Sequence, residues 1–402
     1  MNNSDNGSLK FSRFTYILIC SLLIVNTLAL TSHEALHQVG TLSIMASLLF
    51  FLCLFIYYIL HNYHNIDKLF HLYLYSAMYF IIYIITFFIS AENNSFSYLF
   101  ALLSTLSFIL ISSHNQWQHK YLKLFAHITS GIIWLVFLNW LLIELIFDGY
   151  QSISKNPNSL AIVLFCILYM QLLTFRYSSY IGRSYFGLLI CINLFLIYTT
   201  SARSVFLSIL IILLSMLILL YSKKVFSKIF SIGLILNFGF ILIYVQLENT
   251  KIGQFLNEVS LNLLDKSFYS GRNEIWKQLL PYVYDKPFFG YGIGIDARGL
   301  TSPAHTSHNQ YIQILLESGV IGLILFLLLL FSIWKLLLRN LTTFESKLSA
   351  CFFIATLVYM NFESTLFQNN YAIGLMQWLI ITLGVIINPV EDSTRVKGVQ
   401  KE

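Results

Sequence analysis

Charged side chains are scarce in this chain of 402 residues: they make up 10% of it, whereas hydrophobic side chains make up 57%. A soluble domain has about 25% charged residues, so the composition excludes an ordinary soluble globular protein. Cysteine and proline are also scarce, with five of each. The cysteines lie inside apolar runs, where neither a disulfide framework nor a zinc site is expected, and we interpret them as packing residues.

Motifs for several common kinds of catalysis are missing as well. The chain has no fixed-period repeat, no Walker loop and no Ser-His-Asp spacing. The glycines at 290, 292 and 294 resemble a dinucleotide-binding loop only superficially, because they lack the preceding strand, the following helix and the correct spacing. These glycines either let backbone amides approach a ligand or form a compact turn against the membrane.

Long apolar runs fill most of the chain. A bilayer core about 30 Å thick needs about 20 apolar residues per helix, and twelve runs come near or exceed that length. We therefore predict an all-α, polytopic integral membrane protein with about 12 transmembrane helices and one large, partly helical external loop. The predicted spans are 14–30, 41–60, 69–90, 97–112, 121–147, 160–175, 185–200, 205–221, 226–245, 318–338, 347–367 and 371–387.

Basic residues are distributed asymmetrically between the loops. If the N-terminus is cytoplasmic, the segments on that side carry 16 of the 24 Lys and Arg, whereas the short loops opposite carry only Lys155 and Arg203. Short cytoplasmic loops are rich in Lys and Arg, so this orientation is favoured. We predict cytoplasmic tails at 1–13 and 389–402, membrane helices over 14–246 and 318–388, and an outward-facing loop over 247–317.

The loop 247–317 concentrates the polar chemistry of the chain, with six of the 24 Lys and Arg and three of the five Pro. Apolar residues recur at helical spacing from 252 to 264, which predicts an amphipathic helix on the membrane surface. A second helix is predicted over 271–284, a turn-rich stretch over 288–303, and a short helix over 308–316 that leads into the next span.

Arg203 follows Thr200, Ser201 and Ala202 at the outer junction of two apolar spans. A cation at membrane depth is costly unless it is paired or faces water. Arg203 therefore either extends to the outer headgroups or binds an anion, and the hydroxyls beside it, such as that of Ser201, are suited to share the anion. The guanidinium fork is suited to phosphate oxygens.

Arg272 lies in the loop, where it either forms a surface salt bridge or adds a second guanidinium to the site. Two outward arginines, Arg203 and Arg272, are better suited to a diphosphate than either alone. Lys286 and Arg298 are available to supplement them, but nothing in the sequence distinguishes these two from solvated loop charges.

His308 has a side chain suited to proton transfer near neutral pH. It is either a structural histidine at a loop–helix junction or a catalytic one. With His305 and Asp296 it is also a candidate metal site, but no Glu-rich helix motif accompanies the pair and we predict no metal. Glu363 lies near the outer end of its predicted span, where it is placed to contact Arg203 or a substrate.

Several short motifs occur in a recognisable order. They are Thr200-Ser201-Ala202-Arg203, Gly271-Arg272 with Trp276, Pro287 with Gly290-Tyr291-Gly292, His308-Asn309 with Tyr311, and Glu317-Ser318-Gly319-Val320-Ile321-Gly322, after Lys155-Asn156-Pro157-Asn158 upstream. In order, spacing and topology this set resembles the O-antigen ligase and polymerase superfamily, over about residues 201–325.

The resemblance implies a metal-independent, lipid-donor glycosyltransferase without a cofactor, in which a glycan leaves undecaprenyl diphosphate on the external face of the bacterial inner membrane. It implies that Arg203 and Arg272 bind the diphosphate and that His308 acts on the acceptor. We add Ser201, Asn309, Tyr311 and Glu363 as expected substrate-binding residues. The expected partners are the lipid-linked donor, a glycan or lipid A-core acceptor, membrane lipids and other polysaccharide-assembly proteins, but not nucleic acid.

Polymerase and ligase both fit these motifs, so that choice stays open. A rival function from another class is a polytopic transporter or glycolipid flippase. A transporter is expected to carry charges along the bundle interior and internal repeats near the midplane. The predicted spans here are nearly free of charge, which favours the transferase.

Overall fold

The computed structural model describes residues 11–62, 68–89, 96–115, 117–367 and 370–385. Apart from an isolated bridge between Thr31 and Ser154, the regular elements in these ranges are helices. The predicted all-α class is confirmed, and the chain is a multi-pass membrane protein. The predicted tail 389–402 and most of the tail 1–13 lie outside the described residues.

Most α-helices follow one another with short connections. The α-helices are α1 Arg13–Asn26, α2 Glu34–Asn62, α3 Phe70–Ile89, α4 Phe96–His114, α5 His119–Asn139, α6 Pro157–Tyr177, α7 Tyr180–Thr200, α8 Arg203–Tyr221, the one-turn α9 Lys223–Phe226, α10 Ile229–Leu247, α11 Lys251–Leu264, α12 Arg272–Asp285, α13 Gln310–Arg339, α14 Phe344–Tyr359 and α15 Tyr371–Leu383. Longer segments separate α5 from α6, α12 from α13 and α14 from α15.

A helix occurs at each of the twelve predicted spans, but not all have the predicted length. Within the described residues, ten helices are long and apolar enough to cross a membrane. The last two predicted spans are shorter: α14 has 16 residues and α15 has 13. Because α14 ends at Tyr359, the predicted span 347–367 loses its last turns, and residues 360–367 instead form an irregular segment at the candidate site.

The centre of the bundle is formed by helices that are buried along most of their length. Within its most apolar window, α6 is 78% buried and α4 is 72% buried, whereas α10 is only 22% buried and exposes apolar side chains. Helix α13 packs along α3 in antiparallel fashion, with Tyr79 near Phe326 and Tyr83 donating to Glu317 at 2.9 Å. Helix α14 packs along α8 and brings its end to the start of α13.

Helix α13 is broken at Gly319, whose φ of 63° and ψ of −164° are not helical. The stretch before the break is the short helix predicted over 308–316, which begins at Gln310. The glycine-rich segment of the loop closes this break: Tyr291 N donates to Leu316 O at 2.7 Å, and Val320 N donates to Pro287 O at 2.8 Å. The glycines therefore form a compact turn that satisfies backbone groups freed inside the bundle.

Close packing explains why two of these positions need glycine. A Cβ on Gly319 would lie 2.3 Å from the carbonyl carbon of Phe288, and a Cβ on Gly290 would lie 2.5 Å from Leu316 O. Both residues also have a positive φ, which glycine adopts without steric cost. The turn and the kinked helix therefore hold each other in place.

The two helices predicted inside the loop are present as α11 and α12. Thr250 caps the start of α11, and Ile252 and Phe255 expose their side chains on its surface, as expected for a helix lying at the membrane interface. Lys277 of α12 pairs with Glu248 at the end of α10 and holds the pKa of that carboxyl below its ordinary value. This pair attaches α12 to the membrane helices.

Candidate active site

Four chain segments meet at one end of the bundle. They are the start of α8 with Arg203, the start of α12 with Arg272, residue His308 just before α13, and the irregular segment after α14 with Glu363. Side-chain hydrogen bonds connect them in pairs: Arg203 to Ser270, Arg272 to Glu363, and His308 to Glu363. Residues far apart in the sequence thus form one polar cluster.

Glu363 connects the second arginine to the histidine. Its Oε1 lies 3.2 Å from Nη2 of Arg272, and its Oε2 lies 3.1 Å from Nδ1 of His308. The carboxylate is 18% exposed and the Arg272 side chain 16% exposed, so both interactions are partly shielded from water. An ionised Glu363 accepts a hydrogen bond from Nδ1–H of His308. In that tautomer the lone pair on Nε2 of the imidazole is available as a base.

Arg272 is also held from the backbone side. Its Nε and Nη2 donate to the carbonyl of Phe362 at 3.3 and 3.1 Å, and its guanidinium carbon lies 5.7 Å from the centre of the Phe362 ring. These contacts fix the orientation of the guanidinium in the absence of a ligand, so less conformational entropy is lost on binding.

Arg203 stands at the first position of α8 and donates to the hydroxyl of Ser270. None of the described residues places a carboxylate against it, and its charge is close enough to Arg272 to be repelled by it. The N-terminal end of a helix also favours negative charge. The two arginines carry two positive charges, and Glu363 offsets one of them. The remaining positive charge makes this a site that a bound anion would stabilise.

His308 has a strained backbone, with a φ of 44° in the left-handed region. Its neighbours are fixed on both sides: Trp276 Nε1 donates to Ser307 O at 3.0 Å, and Asn309 caps α13 by accepting from the amides of Tyr311 and Ile312. Non-glycine residues in this conformation persist only where the surroundings over-determine them, and such positions cluster at functional sites.

A polar cavity of about 390 Å³ opens beside His308 and Glu363. Besides His305 and Arg298, its other polar lining residues are mainly amides and hydroxyls. They are Asn156, Asn158, Ser159, Thr306, Ser364, Thr365 and Asn370. Neutral hydrogen-bonding groups of this kind are suited to a polyhydroxylated ligand.

The remaining predicted site residues are placed differently. Asn309 and Tyr311 are fully buried: Asn309 donates to Asn361 O, and the Tyr311 hydroxyl donates to Leu357 O at 2.9 Å. Their side chains therefore stabilise the packing of α13 against the end of α14 beneath the site. Ser201 caps the end of α7 with a φ of 55°. Its hydroxyl hydrogen-bonds to the carboxylate of Asp148, and the pKa of that carboxyl is lowered mainly by Lys266 and further by Ser201.

Glu363 contacts Arg272 and His308, whereas its predicted contact with Arg203 is not among the described interactions. Lys286 lies over the Tyr291 ring at 4.2 Å, and Arg298 pairs with Asp296 while lining the cavity. In the part of the chain that the structure describes, no three His, Cys, Asp or Glu residues are grouped as a metal site would require.

Sequence reasoning did not single out Ser270, the Phe362 carbonyl, Asn237 or Asn370. Asn237 of α10 donates to the Tyr311 hydroxyl and accepts from Asn361, so it supports the site from inside the membrane. A buried amide in an apolar span is the one signal available from sequence, since polar groups in spans usually bind partners there. The Phe362 carbonyl leaves no signal in the sequence.

Comparison with known families agrees with the motifs. Residues 186–327 match the family model described as O-antigen ligase, which confirms the predicted resemblance and supports membrane glycan transfer of the ligase or polymerase type. A search of the curated proteins finds no match. Arg203, Arg272 and His308 lie inside the matched segment, whereas Glu363 and the cavity residues Asn156 and Asn158 lie outside it.

Proposed function

We propose that this member of the O-antigen ligase and polymerase superfamily is an inverting, metal-independent glycosyltransferase. It moves a glycan from undecaprenyl diphosphate to an acceptor glycan or lipid A-core during assembly of O-antigen or exopolysaccharide. The proposal rests on the contacts of the Glu363 carboxylate. This carboxylate joins Arg272, a side chain suited to bind phosphate, to His308, a side chain suited to accept a proton.

The donor is assigned to the side of the arginines. Arg203 and Arg272 repel each other, and only Arg272 is paired with a carboxylate in the described residues, so a diphosphate between the arginines relieves that repulsion. Both lie at the level where α8 begins and α10 ends, so the lipid tail has direct access to the exposed apolar surface of α10. No nucleotide is required, because the diphosphate is itself an activated leaving group.

The acceptor is assigned to the polar cavity. Its amides and hydroxyls are suited to bind sugar hydroxyls, and His308 reaches it from the wall that also carries Glu363. Because Nδ1 of His308 faces Glu363, Nε2 is the nitrogen available to the acceptor. Inversion would follow if the acceptor oxygen, beside His308, attacks the face of the anomeric carbon opposite to the diphosphate held by the arginines.

The proposed reaction forms one bond and breaks one bond. The acceptor hydroxyl oxygen attacks the anomeric carbon of the donor, and the bond from that carbon to the diphosphate oxygen breaks. The hydroxyl proton passes to Nε2 of His308, and the arginines stabilise the negative charge that develops on the departing diphosphate. The carboxylate of Glu363 stabilises the imidazolium that results.

We assign the protein to the bacterial inner membrane by its resemblance to the family, and the charge distribution supports an orientation with the site on the periplasmic face. The site lies at the end of α13 opposite to Lys335 and Arg339, and basic residues mark the cytoplasmic side of a membrane protein. The donor glycan would then be used on the face where the surface polysaccharide is assembled.

The surface glycan of a deletion strain tests the proposal. Core bearing only one repeat unit indicates a polymerase, whereas uncapped core with accumulating lipid-linked polymer indicates a ligase. A strain with unchanged surface glycan and no accumulated lipid-linked intermediate would contradict glycan transfer. Purified protein should keep its transfer activity in the presence of EDTA, which tests metal independence separately.

A further inference from the structure

A second pocket lies at the other end of the bundle, between the start of α3 and the end of α13. Its volume is about 280 Å³. Lys68 and His71 line it from the α3 side, and Lys335 and Arg339 line it from α13, one helical turn apart. Nothing in the proposed transfer reaction uses this pocket.

The pocket is cationic, and its charges are not neutralised by the described part of the chain. None of the described carboxylates forms a salt bridge with Lys68, Lys335 or Arg339. Lys335 instead lies over the ring of Phe331 at 5.2 Å. Three basic side chains around one cavity attract an anion, and lysine and arginine together are suited to phosphate oxygens.

The walls of the pocket are apolar below the charges. Leu69, Leu72 and Leu336 contribute to its lining, and Phe331 presents a partly exposed ring at the same place. A ligand that fills the cavity therefore has a charged end at the helix termini and an apolar part along the helices. Basic pockets between membrane helices on the cytoplasmic side bind anionic lipid headgroups.

We propose that this pocket binds a phosphate-bearing anion at the membrane surface opposite to the candidate active site. The ligand chemistry is a phosphate group held by Lys68, Lys335 and Arg339, and its sources are the headgroup of an anionic phospholipid or free phosphate. Such a ligand joins the start of α3 to the end of α13, the same antiparallel pair that carries the bond from Tyr83 to Glu317.

Binding is measured with the detergent-solubilised full chain by thermal shift during titration with short-chain phosphatidylglycerol, short-chain phosphatidylcholine and inorganic phosphate. A ligand that binds the folded state raises the melting temperature. Each basic residue near an anionic headgroup contributes roughly a fivefold factor in affinity, so K335Q/R339Q should weaken phosphatidylglycerol binding about thirtyfold. The matched control is K223Q/K224Q, which removes two exposed charges outside the pocket.

The outcomes separate the two sources and test the site itself. Stabilisation by phosphatidylglycerol alone that is lost in K335Q/R339Q identifies a lipid, whereas the same variant dependence with inorganic phosphate identifies the free ion. Equal binding by the wild type and K335Q/R339Q, or an equal loss in K223Q/K224Q, overturns the proposal. If K335Q/R339Q does not fold, K68Q from the facing helix takes its place with the same expected direction.

Discussion

The imidazole of His308 and the carboxylate of Glu363 lie 3.1 Å apart, although 55 positions separate them in the sequence. The two residues come from opposite ends of the α13–α14 pair, one just before α13 and the other just after α14. Three hydrogen bonds hold these ends together: Gln310 N donates to Met360 O, Asn309 Nδ2 donates to Asn361 O, and Leu366 N donates to Gln310 Oε1. The dyad is therefore built on a rigid connection between two helices.

The arginines should be essential for transfer but not for folding. Arg203→Ala and Arg272→Ala should each lower turnover by at least roughly 10²–10³-fold, because each removes a donor that stabilises charge on the leaving diphosphate. Arg203→Lys should restore little activity, since a point charge lacks the bidentate fork. Transfer from a lipid-linked donor is measured alongside protein abundance.

The control for the arginine variants is Lys286→Ala, which removes a loop cation that lies over the Tyr291 ring. It should leave turnover near the wild-type value. Full activity in both arginine variants would remove the diphosphate-binding role.

The histidines should differ sharply in importance. His308→Ala should lower turnover by roughly 10²–10⁴-fold, the usual contribution of a positioned acid–base group, while donor binding by the arginines persists. His305→Ala changes another histidine of the same cavity and should cost far less. An equal loss from both variants, together with inhibition by a chelator, would point instead to a metal bound by the pair.

Glu363 should act by positioning its two partners. Glu363→Gln removes the negative charge that Arg272 and His308 share, and hydrogen bonds to charged groups contribute about 1.5–3 kcal/mol, so turnover should fall about 10–150-fold. The readout is steady-state transfer, with KM for the donor and kcat determined separately.

The matched control for this change is Glu258→Gln, an exposed acid on α11. A purely structural role for Glu363 predicts lower abundance of E363Q with normal kcat for the protein that folds. That result would argue against its proposed role beside the catalytic histidine.

The glycine turn against the kink of α13 should be needed for stability. Gly319→Ala forces an L-residue into a φ of 63° and brings its Cβ within 2.3 Å of Phe288, so we expect a loss of about 1–3 kcal/mol and a lower Tm in detergent. Gly239→Ala, in a helix position with open space, is the control and should be neutral or slightly stabilising. A similar Tm for both variants would show that the kink tolerates a side chain.

The orientation of the chain should follow its basic residues. A reporter that is active only outside the cytoplasm should be active when fused at Asn257 or Ala297, and inactive when fused at Lys224 or Thr343. The converse pattern at either pair of positions would place the candidate active site on the cytoplasmic face.

Sequence alone determined which segments are membrane helices, because burying an apolar run in lipid is a local free-energy gain that each run carries by itself. It also predicted the two loop helices and the short helix before the α13 break, where helical spacing and capping residues lie close together in the chain. The motif order predicted the resemblance to the O-antigen ligase family that the family match over residues 186–327 confirms.

Only the tertiary structure decided which polar groups meet. The apolar composition of a segment predicts that it forms a membrane helix but not which neighbouring helix it packs against. This is because lipid tails and the surfaces of membrane helices are similarly apolar. The sequence therefore predicted Arg203 or a substrate as the partner of Glu363, whereas packing placed it against Arg272, 91 positions away. The early end of α14 at Tyr359 arises in the same way, because the carbonyls of residues 360–362 accept hydrogen bonds from the start of α13 and from Arg272 rather than from another helical turn.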